Sequence, residues 1–148
     1  MNYRHIYHAG NFADVLKHAV QARLIEYLKQ KDKPFRVMDT HAGIGIYDLS
    51  SEQAQKTGEW REGIGRLIDV TLPAKIAPLL APYLQAIRDI NPDGGLTYYP
   101  GSPKLSRMLM RPQDRLSLME LHPDDFEALH RNFDSDFQTR VTHLDGWL

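Results

Sequence analysis

The chain has 148 residues and a mass of 17.0 kDa, the size of one compact domain of about 100–200 residues. Its 42% hydrophobic and 25% charged residues exclude a disordered tail or a fibrous repeat, and 18 Lys+Arg against 19 Asp+Glu lack the basic excess of a dedicated nucleic-acid binder. With no cysteine there is no disulfide scaffold, thiolate zinc site, iron–sulfur cluster or cysteine nucleophile, and with no signal peptide or apolar run near the roughly 20 residues that span a bilayer, a soluble cytoplasmic protein is expected.

Asn11 is placed to cap a helix whose apolar positions Val15, Leu16, Ala19, Val20, Leu24, Ile25 and Leu28 follow the spacing of one buried face. That helix should end near Lys31, before Pro34. Phe35 to Asp39 then reads as a short strand that runs into a glycine loop, Thr40-His41-Ala42-Gly43-Ile44-Gly45. Residues 50–95 change character. Trp60, Ile64, Leu67 and Ile68 have helical spacing, Ile76 to Ile90 is helical but punctuated by Pro78 and Pro82, and together they read as a helical insertion of about 45 residues, longer than an ordinary connection.

Asn91 to Gly95 is a turn, and Leu96 to Tyr99 is extended. Ser102 followed by Pro103 predicts a helix start with Ser102 as the cap. Arg115 to Leu121 alternates as a strand with Glu120 near its end, Pro123 opens a helix with Phe126, Leu129 and Phe133 facing inward, and Thr139 to His143 is a further strand leading to Asp145-Gly146. Strands alternating with helices predict an α/β layer with a parallel sheet, because parallel neighbours need helical crossovers. The divisions are 1–49 (N-terminal segment, first helix, strand and glycine loop), 50–95 (insertion) and 96–148 (continuation of the α/β domain).

In an open parallel sheet, ligands bind beyond the carboxyl ends of the strands. Three candidate groups fall there in chain order: the Asp39–Gly45 loop, Glu120, suited to accept from a ribose diol, and Asp145-Gly146, suited to accept from an adenine amino group. Each alone has an ordinary explanation as a turn or a solvated acid, but together they indicate a nucleoside site. The loop lacks the Gly-Lys-Ser/Thr ending of a phosphate-binding loop and the G-x-G-x-x-G spacing that serves a pyrophosphate, so a sulfonium cofactor, S-adenosylmethionine, suits it better than a nucleoside triphosphate or NAD. None of the seven histidines has a recognised metal-ligand spacing, so no metal is expected, and no G-x-S-x-G elbow supports a hydrolase. Residues 1–36 carry seven basic and three acidic side chains, a local surplus compatible either with a solvated helix exit or with RNA contact.

Tyr3-Arg4-His5, His8-Ala9-Gly10-Asn11, Ala13 to His18, Lys31 to Phe35, Asp39 to Gly43, Tyr98 to Pro103 and Glu120 to Pro123 closely resemble blocks of the bacterial RlmJ family, in order along the whole chain. The resemblance implies a Rossmann-like class I methyltransferase sheet with an inserted helical subdomain, and transfer of a methyl group from S-adenosylmethionine to adenine N6 of 23S ribosomal RNA. It further implies that His18, His41, Ser102, Glu120, Asp145 and Gly146 contact the cofactor, and that Tyr3, His5 and Lys17 lie on the substrate side in a segment covering the site. The family's catalytic Asp-Pro-Pro-Tyr motif, whose acceptors orient the amine, follows a further strand; its place would be beyond Leu148, and residues 1–148 do not contain it. The expectation is therefore a cofactor-binding half, truncated after the third strand, with no catalytic residue of its own, inactive alone and monomeric within the full-length protein. The competing readings are a non-catalytic RNA-binding module and a DNA adenine methyltransferase or other DNA-handling protein.

Overall fold

Asn11 opens the longest helix, its side-chain oxygen accepting from the Asp14 N–H, and α1 runs Phe12–Leu28. The structure, a computed structural model, describes residues 3–148. A 3-10 turn, His5–Tyr7, precedes α1, and along the chain follow β1 (Arg36–Asp39), β2 (Ile46–Asp48), α2 (Glu52–Thr57), α3 (Ile64–Leu67), α4 (Ala77–Asp89), β3 (Tyr98–Pro100), α5 (Ser102–Leu109), β4 (Arg115–Glu120), α6 (Pro123–Phe133) and β5 (Thr139–His143). A second 3-10 turn, Glu59–Glu62, leads into α3.

The face that α1 buries matches the one its spacing predicts only at Val15, Ala19 and Ile25. Leu16, Val20, Leu24 and Leu28 are exposed, Leu16 at 69%, whereas Asp14, His18, Ala19, Ala22 and Ile25 point inward. Apolar residues lie on two sides of this helix. The side packed on α4 and α5 carries small alanines that allow close approach, with two polar groups whose buried partners offset their desolvation.

β1, β4 and β5 form a parallel sheet in the order β1-β4-β5, with Val37 opposite Leu116 and Leu118 opposite Val141. Leu116, Leu118 and Val141 pack with Leu129 and Phe133 of α6 and with Met110. On the other face, Arg36 reaches Ser117 and Met38 is 60% exposed. The fold is thus α/β with a parallel sheet. A second core gathers Tyr47, Ile64, Tyr83, Ile87, Tyr99 and Leu105 with the alanines of α1, joining the helices between β2 and β3 to the N-terminal segment. Arg111 fastens the exit of α1 to the entrance of β1: its guanidinium donates to the carbonyls of Lys31 and Lys33 and to Asp114, which accepts the Phe35 N–H.

One local expectation, the Ser102 cap, needs correction, and two features add to the reading. Residues 46–48 form β2, which pairs antiparallel with β3; so short a strand leaves little alternation to read. Pro82 lies inside α4 without ending it. Ser102 does not cap α5: Gly101 holds the cap position, and the Ser102 hydroxyl donates to Asp39 instead. Among the described residues no helix is long and apolar enough to cross a membrane.

A polar seam runs through the helical core. Tyr83 Oη lies 2.9 Å from Tyr99 Oη, which lies 2.8 Å from His18 Nδ1, all three residues being at most 1% exposed. Burial lowers His18 to about 4, so the unfolded chain binds a proton in the interval up to about 6.5 that the folded chain refuses. Stability is therefore full above that interval and falls by up to about 3 kcal/mol as pH drops through it. Urea denaturation at pH 7.5 and pH 4.5 should show this loss, with His18→Gln removing most of the difference; an unchanged difference would contradict it. Leu118→Ala in the central strand should cost about 2–5 kcal/mol in the same measurement.

Candidate functional site

A cavity of about 620 Å³ opens where β1 and β4 end. The carboxylate of Glu120, last residue of β4, organises its floor: Oε2 accepts the Gly43 N–H at 2.8 Å and Oε1 accepts the His122 N–H at 2.8 Å. One side chain thereby fixes the glycine loop after β1 and the turn into α6. The Ala42 N–H, donating to the Met119 carbonyl at 3.0 Å, sets the loop's height against β4. Gly43 is required here: its φ is +62°, and a Cβ would lie 2.2 Å from the Tyr47 hydroxyl, which closes the back of the cavity.

His18 forms a second wall. The only partner of the Tyr83 hydroxyl among the described residues is Tyr99, so its proton goes there. Burial pushes the Tyr99 phenol well up, so it stays protonated and donates onward to His18 Nδ1. The neutral His18 ring then carries its proton on Nε2, leaving one N–H donor for the cavity it lines. Ser102, at the start of α5, and His41, in the glycine loop, complete this side.

The N-terminal segment makes the opposite wall. Arg4 pairs with Asp125 of α6 at 2.6 Å, bridging the segment to the far side of the cavity. Tyr3 stacks on His8 with ring centroids 5.4 Å apart, and its hydroxyl lies 2.7 Å from His5 Nδ1. His5 Nε2 lies 2.7 Å from Asp14 Oδ2, which also accepts the Gly10 N–H at 3.0 Å, while Asp14 Oδ1 pairs with Lys17 at 2.9 Å. Burial alone would push the Asp14 carboxyl up; the hydrogen bond from His5, the neighbouring imidazoles and Lys17 hold it well below the usual carboxylate range. Of the local basic surplus, Arg4, Lys17 and Lys29 are ion-paired.

Of the residues singled out in the sequence, His18, His41, Ser102, Glu120, Tyr3, His5 and Lys17 all line this one cavity. Asp145 and Gly146 do not. Asp145 accepts the Trp147 N–H at 3.0 Å, and Gly146 packs against Thr40, where a Cβ would lie 2.2 Å from the carbonyl oxygen. The pair is fastened beside the glycine loop, reaching the cavity wall only through Trp147, whose ring meets His41 edge-on at 5.4 Å. The Leu148 N–H donates to the Asp145 carbonyl at 3.1 Å, closing that turn. Sequence reasoning missed Asp14, Tyr47 and Asp125. For Asp14 a signal existed: an acid on the helix three and four residues before Lys17 and His18 shares one face with both.

Residues 32–148 match the family model described as "Ribosomal RNA large subunit methyltransferase D, RlmJ". The chain is 51% identical over 148 residues to ribosomal RNA large subunit methyltransferase J of Escherichia coli (strain K12), an alignment covering 99% of this chain and 51% of that protein. The Haemophilus influenzae protein of the same name is 50% identical over 149 residues, with 99% and 52% covered. A crystal structure of a Legionella pneumophila protein superposes with a TM-score of 0.82 at 41% identity, covering 93% of this chain and 49% of that one. The chain spans about half the length of the curated relatives it matches. With a match over most of its length and a cavity lined by the blocks that carry the likeness, the chain belongs to the RlmJ family.

Proposed function

We propose that this chain is the cofactor-holding half of an S-adenosylmethionine-dependent methyltransferase that acts on adenine N6 of 23S ribosomal RNA in the cytoplasm. The observation that carries the reading is the cavity at the ends of β1 and β4, floored by Glu120 and the glycine loop, in a chain of this family. The residues fit the cofactor. A volume of about 620 Å³ lies within the range of small-molecule sites. Glu120 keeps lone pairs for two ribose hydroxyls beyond the two N–H groups it already accepts, and the buried seam leaves the His18 Nε2–H suited to a carboxylate. Gly43 admits close backbone approach, and Ser102 and His41 add polar contacts; Asp145 and Gly146, outside the cavity lining, would reach an adenine only from beside the glycine loop.

When bound, the cofactor supplies a methyl group on a sulfonium. The chain's own residues position it: the parallel strands hold the loops, the partly buried carboxylate of Glu120 locks them together, and the Arg4–Asp125 pair keeps the N-terminal segment over the cavity. Tyr3, His5 and Lys17 face the substrate side. Orientation of the target amine belongs to the Asp-Pro-Pro-Tyr motif of the family, which residues 1–148 lack, so this chain alone is inactive. A further part of the protein that carries this motif would cover the outer edge of β1, the exposed Met38 and the apolar stripe Phe12, Leu16, Val20, Leu24 on α1. Residues 50–95 are then an insertion into the methyltransferase sheet.

Calorimetry with S-adenosylhomocysteine tests the reading. The folded chain should bind, Glu120→Gln should weaken binding about 10–100-fold through loss of a charged acceptor, and Arg66→Ala, on the distant α3 surface, should leave it unchanged. Absence of binding by the folded chain would overturn the cofactor site. Salt-dependent RNA binding without any cofactor response would favour the RNA-binding module instead.

A further inference from the structure

Resting on that reading, we propose that a second, smaller cavity behind Tyr47 is a guanine subsite for the nucleotide next to the target adenine, with Asp48 reading the edge of the base and Tyr98 stacking on its face.

This cavity has a volume of about 330 Å³ and shares Tyr47 and Asp125 with the strand-end cavity. The antiparallel ribbon of β2 and β3 builds one wall. Tyr47 and Tyr99 are register partners and both are buried, whereas the next pair, Asp48 and Tyr98, turns to the opposite face, where Tyr98 is 43% exposed. Side chains directly opposite in such a ribbon stand about 4.5–5.5 Å apart at Cβ, so a carboxylate and an open aromatic ring are neighbours on one surface. Ile44 and Ile46 add apolar area, and Arg4 and Asn132 stand across from them in the lining.

The open hydrogen-bonding groups select the ligand. Asp48 Oδ1 accepts the Ser50 N–H at 2.8 Å and the Ser50 hydroxyl at 2.6 Å, which fixes the side chain, while Oδ2 has no partner among the described residues. The Asn132 amide is held by donating to the Ile44 carbonyl at 2.7 Å, and of the Arg4 guanidinium only Nη2 is engaged, by Asp125. Asp48 and Asp125 against Arg4 alone leave the lining net negative, which disfavours a phosphate. Among the described residues no three ligating groups gather for a metal. An uncharged planar ligand with adjacent N–H donors fits what remains. Guanine is that ligand among the bases: N1–H and N2–H lie side by side and converge on a carboxylate, and O6 beside them accepts from a guanidinium. Adenine and cytosine carry a ring-nitrogen lone pair next to the amino group, and uracil flanks its N–H with two carbonyls, so each sets a lone pair against Asp48. Unpaired RNA bases are splayed out, stacked on aromatic rings and read along these edges. The volume, at the small end of ligand sites, suits a single base. The guanine then lies across Tyr47 from the adenine, with the phosphates left outside in solvent.

The test is a titration of the 148-residue chain with the monophosphates of guanosine, adenosine, cytidine and uridine, read by proton–nitrogen NMR. Guanosine monophosphate should bind about 10-fold more tightly than the other three and move the amides of Asp48, Tyr98 and Asn132, with saturating S-adenosylhomocysteine leaving those shifts in place. Asp48→Asn, which keeps the shape and removes the charge, should erase the preference, and Tyr98→Leu should weaken all four by a similar factor through loss of stacking. In the enzyme extended to the length of its relatives, exchanging a guanine beside the target adenine for inosine, which lacks the N2 amine, should raise the KM for RNA about 10-fold with kcat within about twofold. Asp48→Asn should be blind to that exchange. No response to any of the four nucleotides, an equal response to all, shifts centred on Gly43 and reversed by S-adenosylhomocysteine, or a preference that survives Asp48→Asn would overturn the subsite. Failure of the wild-type chain to bind S-adenosylhomocysteine would instead overturn the cofactor site, leaving the guanine preference to stand by itself.

Discussion

Two hydrogen bonds accepted by one carboxylate hold the site together. Glu120 ends the central strand, and its oxygens take up the Gly43 and His122 N–H groups, so the loop after β1 and the turn into α6 cannot move independently. Both N–H groups stand at strand ends where no ladder partner is available, and each would lack an acceptor without it. The parallel register of β1 on β4, with Asp39 opposite Leu118, brings the two loops within reach of the same side chain. The cavity follows from that register as much as from the residues that line it.

Much of this is legible in the sequence because it is local. Asn11 as a cap, the strand read over residues 35–39, the strand read over 115–121 and the Pro123 helix start each depend on a few neighbouring residues, and each stands within one residue of where the pattern places it. What escapes a sequence reading depends on contacts far along the chain. The inward face of α1 is chosen by partners in α4, β3 and the N-terminal segment, which reward Asp14 and His18 over Leu16 and Val20. Ser102 has the form of a cap, yet its hydroxyl finds Asp39, distant in sequence, as a charged acceptor. The N-terminal residues of the site are reached through the family resemblance; periodicity alone gives no reason to fold Tyr3 and His5 back over Lys17.

Two polar chains converge on the cavity by the same physics. Tyr83, Tyr99 and His18 are dry enough that each proton has one place to go, and the seam delivers an N–H to the ligand side. The other chain, through His5 to Asp14, starts from a buried charge rather than a buried phenol. Buried carboxylates are costly unless fully satisfied, and Asp14 is satisfied by groups from the N-terminal segment and from its own helix turn. Its burial couples folding of that segment to the shape of the site, so the wall above the cavity is part of the fold and not an appendage to it.

The most direct measurement is a crystal structure of the chain with S-adenosylhomocysteine. The ribose hydroxyls are expected on Glu120, with the loop at Gly43 against the ligand and His18 Nε2 within hydrogen-bond distance of a ligand acceptor. A ligand seated elsewhere, for instance in the smaller cavity between Arg4, Tyr98 and Asn132, or one that leaves the Glu120 carboxylate untouched, would contradict the assignment of the strand-end cavity as the cofactor site.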